Sequence, residues 1–596
     1  MRSRAARFVA RLLPVAAALA GTALLIFSHV QYESIKAYMD SLSFDGDAYT
    51  FSRHLFTTLA FSARLTGGIL IAAALLLVRF QSRVDQALAA LIVNTFAYLR
   101  RAAADAARTF REESLQHRTA LLAMIAFGIA LRVRPLGQPI NYDESFTYIV
   151  YANRPWLIAW ANYSEPNNHL FHTLLAHLSI GVFGNAVWAI RLPALIAGCL
   201  TIPLAYAVAR RLAGRNEALM VAALTAASQV LIAFSVRARG YTLLIDFFLL
   251  TVLAGHDIIT SRSPHPWPLV VVSCALGFFT IPSFLYAYLG VLTWLFLAGR
   301  RDPENAALRW PTLMRSAAWT VALVAICYAP AFVTSGLQAG INYARGTVSM
   351  LAFMTTLPDR LQDVWFDMMR GLPDALIHVL AMCAAIGVWR MWRTHAGAIL
   401  LVPLVLWPAL TVLAQRVLAP ARVWIYLLPV FFVYAAAGAM GVAAWIAARI
   451  PRWSTAVTSA TAGAMVVIIS LQAVIHLPVE YTEWNNAVEI YSHTDLDQVA
   501  GYLKTSLADR DALVTPLFLD YPLEYYLRVH GVPIAFLRRP AANPERVIVL
   551  ANDTLRHSIA AVMTSNGFDP ERTRPRLVRR FTYSSLYEIQ PQRGGQ

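Results

Sequence analysis

Apolar runs of membrane-spanning length dominate this sequence and fix its broad class before any single residue is considered. A segment crossing the ~30 Å hydrocarbon layer must satisfy its own backbone, which takes about 20 apolar residues as a helix. About thirteen such runs occur, near 8–29, 56–79, 119–135, 187–209, 217–236, 241–259, 267–283, 284–299, 316–335, 373–392, 396–414, 423–448 and 455–475. Only 14% of the 596 residues are charged and 58% are hydrophobic, whereas soluble domains carry roughly 25% charged residues. A string of soluble domains, a disordered chain and a disulfide-stapled scaffold are therefore excluded. Cys199, Cys274, Cys327 and Cys383 all lie in apolar runs and have no metal-binding spacing. The expected fold class is a polytopic α-helical membrane protein with about thirteen transmembrane helices.

The formal net charge of +16 would suggest nucleic acid if it formed one basic stripe. It does not. Nearly all the basic residues are Arg, with Lys only at Lys36 and Lys504, and many cluster between apolar runs. Short cytoplasmic loops hold the excess of positive charge. Arg2, Arg4, Arg7 and Arg11 precede the first run, and the series continues in alternate connections with Arg79 to Arg118, Arg210 to Arg215, Arg300 to Arg315, Arg390 with Arg393, and Arg449 with Arg452. This places the N-terminus in the cytoplasm, and an odd number of spans places the C-terminus outside. The first run reads as a retained anchor, because its core is long and no small-x-small cleavage site precedes the polar stretch 28–47.

Three regions leave the bilayer. Residues 80–118 are basic and amphipathic, with Leu88, Leu91, Ile92, Phe96 and Leu99 at helical spacing, as expected of a helix on the anionic inner leaflet. Residues 136–186 form a long outer loop. Residues 476–596 form an outer tail. In it, Asp495–Leu507 and Leu523–His530 read as helices, and Ala512–Thr515, Arg546–Leu550, Leu577–Arg580 and Ser585–Ile589 as strands. A further helix is expected after a cap at Asp553 or Thr554. The alternation predicts a small α/β domain. The chain thus divides into 1–118 (two spans and the basic segment), a membrane core at 119–475, and the tail.

Charges beside a membrane are costly, so they point to function. Asp143 and Glu144 lie just outside the third run, in Asn141-Tyr-Asp-Glu-Ser-Phe-Thr-Tyr; the bland alternative is a helix-capping first turn. Further along the loop, Glu165-Pro-Asn-Asn-His-Leu-Phe-His172 puts His169 and His172 at i, i+3, where they could ligate a metal with Asp143 or Glu144 or simply hydrogen-bond locally. Asn167 and Asn168 are equally suited to capping and to touching substrate. Arg237 and Arg239, in Ser235-Val-Arg-Ala-Arg-Gly-Tyr241, oppose the positive-inside bias and need a reason. It is either a pair with Asp246 or lipid headgroups, or a phosphate, which a guanidinium fork binds well. Arg416 and Arg422, in Gln-Arg-Val-Leu-Ala-Pro-Ala-Arg-Val-Trp-Ile-Tyr426, repeat the pattern, and Arg345 repeats it more weakly. Carboxylates and arginines at headgroup depth suit transfer of a group from a lipid phosphate.

The order of these elements, outer-loop Asp-Glu, then Asn-His-Leu-Phe-His, then Arg-Ala-Arg-Gly-Tyr, then Pro-Ala-Arg-Val-Trp-Ile-Tyr, resembles the GT-C glycosyltransferases. Within them it is most similar to the bacterial branch related to protein O-mannosyltransferases and the lipid A aminoarabinose transferase. The resemblance covers roughly 119–475. It implies an inverting enzyme of the bacterial inner membrane with an extracytoplasmic active site. The donor would be a polyprenyl-phosphate sugar and the acceptor a glycan, lipid or protein. The family's catalytic carboxylate carries over to Asp143, with Glu144 beside it, and donor contacts to Arg239, Tyr241 and Arg422. Asn168, His169, His172, Arg237, Arg345 and Tyr426 complete the candidate substrate-binding set. Some members depend on a divalent cation and others do not; Asp143, Glu144 and His169 are its candidate ligands here. The two N-terminal spans and the basic segment lie outside the usual core. The competing expectation is a transporter or flippase of lipid-linked sugars, which calls for polar residues near mid-span and paired repeats; Asp246 and Asp257 instead lie toward span ends. For an enzyme, removal of 480–596 is expected to leave some activity or to alter only the choice of acceptor.

Overall fold

The computed structural model describes residues 2–42, 51–163, 165, 167–335, 349–392, 397–449, 460–472, 474–475, 495–516, 518–538, 544–553, 558–566 and 575–590. Each apolar run coincides in whole or part with helix. The N-terminal part comprises α1 (Arg2–Phe27), α2 (Tyr32–Leu42), α3 (Arg53–Arg79) and α4 (Gln81–Glu112). The core begins at α5 (Leu115–Val133), which is followed by the helices of the 136–186 segment, α6 (Tyr142–Phe146), α7 (Trp156–Ala161) and α8 (Leu170–Phe183). Then come α9 (Val187–Leu212), α10 (Arg215–Ala227), α11 (Gln229–Ser235), α12 (Tyr241–Ser261), α13 (Trp267–Thr280), α14 (Phe284–Arg301) and α15 (Trp310–Ser335). After α16 (Met350–Met368) the core closes with α17 (Asp374–Trp392), α18 (Gly397–Gln415), α19 (Leu428–Ala447) and α20 (Ala460–Gln472).

Among the described residues six helices are long and apolar enough to cross a membrane, or seven if the bent pair α10 and α11 is one span; other runs form shorter apolar helices. Burial separates centre from periphery. The spanning windows of Ile425–Ala447 and Tyr241–Ser261 are 72% and 67% buried, against 17% for Arg53–Arg79. The α1–α3 hairpin is therefore an appendage on a core built around α9, α10, α12 and α19. The basic segment is one long helix, α4, tied to the core where Tyr98 donates to the Asp257 carboxylate on α12.

The α10–α11 break bends the chain by 58° at Ser228, whose hydroxyl accepts from the Leu231 amide and so restarts the helix. Arg132 of α5, wholly buried, fills the break: it donates to the Thr225 and Ala226 carbonyls at the end of α10 and to Ser235 Oγ at the end of α11. A cation against exposed helix C-terminal carbonyls is favourable.

The tail holds α21 (Leu496–Ser506), β1 (Asp511–Val514), α22 (Asp520–His530), α23 (Ala535–Arg538), β2 (Arg546–Asn552), α24 (Ile559–Ser565), β3 (Arg576–Arg580) and β4 (Ser584–Ile589). The strands form one sheet in the order β1-β2-β4-β3, with β1 parallel to β2 and the other pairs antiparallel. Strand alternation divides its apolar side chains. Ala512, Val514, Val547, Val549 and Ile589 face α24, while Leu513, Ile548, Leu550 and Leu586 face α21 and α22. The cap of α24 is Ser558, whose hydroxyl accepts from the Ala561 amide, in place of the expected Asp553; Thr554 lies outside the described residues. Asp553 instead accepts from Ser585 Oγ. The second face of the sheet does not close on itself. Its core continues into Ile140, Tyr148, Ile149, Ile190 and Ala238 of the membrane part.

Candidate active site

The site starts from a short helix that its own sequence specifies. Asn141 caps α6 by accepting from the Glu144 amide (2.9 Å), and Glu144 returns the bond by accepting from the Asn141 amide (3.2 Å). This leaves Asp143 one residue earlier and on another side of the turn, part-exposed, with Oδ2 3.7 Å from Arg422 Nη1. Directly after α6 the chain widens into a π-helical turn over Thr147–Ala152, a geometry common beside functional residues.

Glu144 is fully buried. Arg191 of α9 holds it in a fork, Nε to Oε1 at 2.8 Å and Nη2 to Oε2 at 2.6 Å, and the Ala238 amide donates to Oε1 at 2.7 Å. The same guanidinium donates to the carbonyls of Leu136, Gln138 and Pro139. Burial by itself would push the Glu144 carboxyl up, but the charge and hydrogen bonds of Arg191, with the amides of Ala238 and Asn141, hold it below its usual value. Glu144 is thus the clasp joining the 136–186 segment to the 236–240 turn, and this engagement argues against it as the group that meets an acceptor.

That turn carries the arginines. Arg239 Nη1 donates to the Asn167 carbonyl (2.6 Å) and to Thr147 Oγ1 (3.3 Å); Thr147 in turn donates to the Asp143 carbonyl (2.8 Å). Gly240 permits the close approach: a Cβ there would stand 2.4 Å from Thr280 Cγ2 and 3.3 Å from His169. The Gly240 amide donates to His169 Nδ1 at 2.8 Å. Burial, and then the Arg239 charge, push the His169 pKa well down, so the ring is neutral. Nε2 lies 3.2 Å from Arg239 Nη2. Arg239 Nη2 is thus held against the His169 ring, while the Nε of the same guanidinium has no acceptor among the described residues. Tyr241 closes the group, with its ring edge-to-face with His169 and under the Arg239 guanidinium.

The remaining candidates are spread differently. His172, buried one turn into α8, has no hydrogen-bond partner for either ring nitrogen among the described residues, and the same holds for the Tyr426 hydroxyl. Asn168 serves the loop: its amide donates to the Asn162 and Ala159 carbonyls, and its Oδ1 accepts from Thr173. Arg237 lies over the Phe234 ring. Asp246, one suggested partner for these arginines, accepts from Thr201 Oγ1 at 2.7 Å. Arg345 lies outside the described residues. Among those residues no three His, Cys, Asp or Glu side chains gather to hold a metal ion. Of the three candidate ligands, Glu144 is consumed by Arg191 and His169 by the Gly240 amide, so this set does not fit a metal centre.

Sequence reading missed Arg191, Arg132 and Thr147. For the two arginines a signal was present, since each stands inside an apolar run, where a charge is expensive enough to need a partner. Thr147 carried none.

The dolichyl-phosphate-mannose-protein mannosyltransferase family profile matches residues 166–332, which run from just before His169 to near the end of α15. No curated protein matches the chain significantly. Among solved structures, ArnT from Cupriavidus metallidurans bound to undecaprenyl phosphate superposes with a TM-score of 0.51 at 12% identity, over 78% of this chain and 97% of that one. The apo state of the same protein gives 0.50 at 12% identity, with the same coverage. The fold is GT-C. A GT-C fold makes the chain a multi-span membrane protein, and the tail sheet accompanies that core. The matched profile covers the Arg239 turn and His169 but begins after Asp143.

Proposed function

We propose that this chain is an inverting glycosyltransferase that moves a monosaccharide from a polyprenyl-phosphate-linked donor to an acceptor hydroxyl or amine outside the bacterial inner membrane. The observation that carries this reading is a contrast between two buried arginines. Arg191 is neutralised by Glu144. Arg239, 5% exposed, has no carboxylate within ion-pair distance among the described residues, and its Nε has no acceptor. An uncompensated buried cation is costly, so an anion from outside the chain belongs beside it. The ArnT structure holds undecaprenyl phosphate; a lipid phosphate here would meet the Arg239 guanidinium, whose Nε has no acceptor among the described residues, with Arg422 beside Asp143.

In the proposed step Asp143 takes the acceptor proton as the acceptor heteroatom attacks the anomeric carbon. The bond from that carbon to the phosphate oxygen breaks, and the polyprenyl phosphate leaves with an added negative charge that Arg239 and Arg422 stabilise. Attack opposite the leaving group inverts the anomeric centre. The Arg distribution supports an outer location for the site.

The experiment is transfer from polyprenyl-phosphate sugar in proteoliposomes. Asp143→Asn is expected to abolish turnover in a protein that still folds, because it loses the base but keeps the shape; wild-type turnover would remove Asp143 from the mechanism. Arg239→Ala is expected to raise the donor concentration for half-saturation by about 10- to 100-fold, as one charge-assisted contact contributes roughly 1.5–3 kcal/mol. An unaltered donor dependence would exclude it from the phosphate site.

A further inference from the structure

The tail meets the Asp143 loop through aromatic rings. Tyr142, the residue before Asp143, stands edge-to-face with Phe518 (centroids 5.0 Å) and Tyr521 (5.6 Å), and Phe146 packs on Tyr521 (4.8 Å). Phe518 is unusual among them. Its backbone φ is 70°, in the left-handed region that glycine enters freely and a bulky residue enters at a cost, yet the residue is left 39% exposed. A strained backbone that presents a large ring instead of burying it points to function.

We infer that Phe518 is the acceptor-facing wall of the site and receives the apolar C–H face of a sugar ring in the acceptor. The inference rests on the transfer reading above and adds the acceptor class to it. An acceptor hydroxyl must come within hydrogen-bond reach of Asp143. Asp143 pairs with Arg422, a cation suited to the donor phosphate, while the residue before it, Tyr142, is backed by Phe518 and Tyr521. The three rings carry no formal charge. They suit a flat, weakly polar face with hydroxyls at its rim, as a sugar ring offers, and not a phosphate or a peptide carboxylate.

The test uses the full-length protein in proteoliposomes with radiolabelled polyprenyl-phosphate sugar, mixed with increasing amounts of envelope membranes from cells lacking this chain as the acceptor pool. Phe518→Gly is expected to raise the amount of acceptor membrane needed for half-maximal transfer by about five- to tenfold, with the maximal rate within about twofold. Its thermal unfolding midpoint should not fall, since glycine accepts φ of 70° without strain. Phe518→Leu, which keeps bulk but loses the ring, should shift acceptor dependence in the same sense, and Phe518→Trp should restore it. Unchanged acceptor dependence in both the Gly and Leu variants would overturn the inference. So would a loss confined to the maximal rate, which would make Phe518 a support for the Asp143 loop, or label recovered on peptide side chains instead of glycan. Absence of transfer by the wild type, or full transfer by Asp143→Asn, would instead fell the transfer reading itself, and the acceptor wall with it.

Discussion

Asp143 and Glu144 are adjacent acids with different surroundings, and the capping geometry of α6 separates them. One is part-exposed beside Arg422; the other is sealed against Arg191. Removing one partner of a buried ion pair leaves the other charge uncompensated, typically a loss of about 3–5 kcal/mol. Glu144→Gln is therefore expected to lower the unfolding midpoint in detergent by several degrees and to raise hydrogen exchange across 141–152. The pH dependence has a definite sign. Because the folded Glu144 carboxyl sits below its unfolded value, its contribution is present above the ordinary carboxylate range and disappears as pH falls through the lower folded value. A stability–pH profile should show this acid loss in the wild type and lack that component in Glu144→Gln.

At the scale of elements, the 236–240 turn is the piece that brings distant parts together. Its Ala238 amide is held by Glu144, its Gly240 amide by His169, and Arg132 grips the helix end that feeds it. Gly240→Ala forces a methyl to within 2.4 Å of Thr280. Overpacking of this kind costs about 1–3 kcal/mol. The variant should reach full expression but bind polyprenyl phosphate more weakly, by titration in detergent, because His169 and Arg239 lose their common alignment; wild-type affinity would show that the turn tolerates the shift. Much of this element was legible in the sequence. Arginines that the alternating charge pattern assigns to the side disfavouring them marked the turn, and Asp-Glu after an apolar run marked the loop. The clasp was not legible, because the Arg191–Glu144 contact joins residues 47 apart, and spacing along a chain says nothing of such closures. The cap of α24 was misplaced for a local reason: Asp553 and Ser558 both suit capping, and pairing of β2 with β4 took Asp553 for Ser585.

Over the whole molecule, the tail is part of the site's scaffold. The Ile140 amide donates to the Tyr526 hydroxyl (3.2 Å), the Tyr525 hydroxyl donates to the Asn185 carbonyl (2.7 Å), and Tyr148 meets Tyr525 ring to ring. The sequence alone led to the expectation of a detachable module, since strand and helix periodicity describes a domain but not what its open face covers. The structure changes the expected outcome of truncation. A chain ending at 475 should lose transfer altogether, not only its choice of acceptor, and limited proteolysis should cut it within 136–152 where the full chain resists; retained transfer would show that the loop holds itself. Residues 5–42 and α3, by contrast, should be removable with little effect on the rate, because α3 is mostly unburied.

The bond from Ile140 to Tyr526 spans 386 residues. During synthesis, the segment bearing Asp143 emerges early and waits, unfinished, while the ribosome completes every later helix. Only when the final stretch has been made can its aromatic helix dock and the Asp143 segment set, so a nascent or prematurely stopped chain lacks that support.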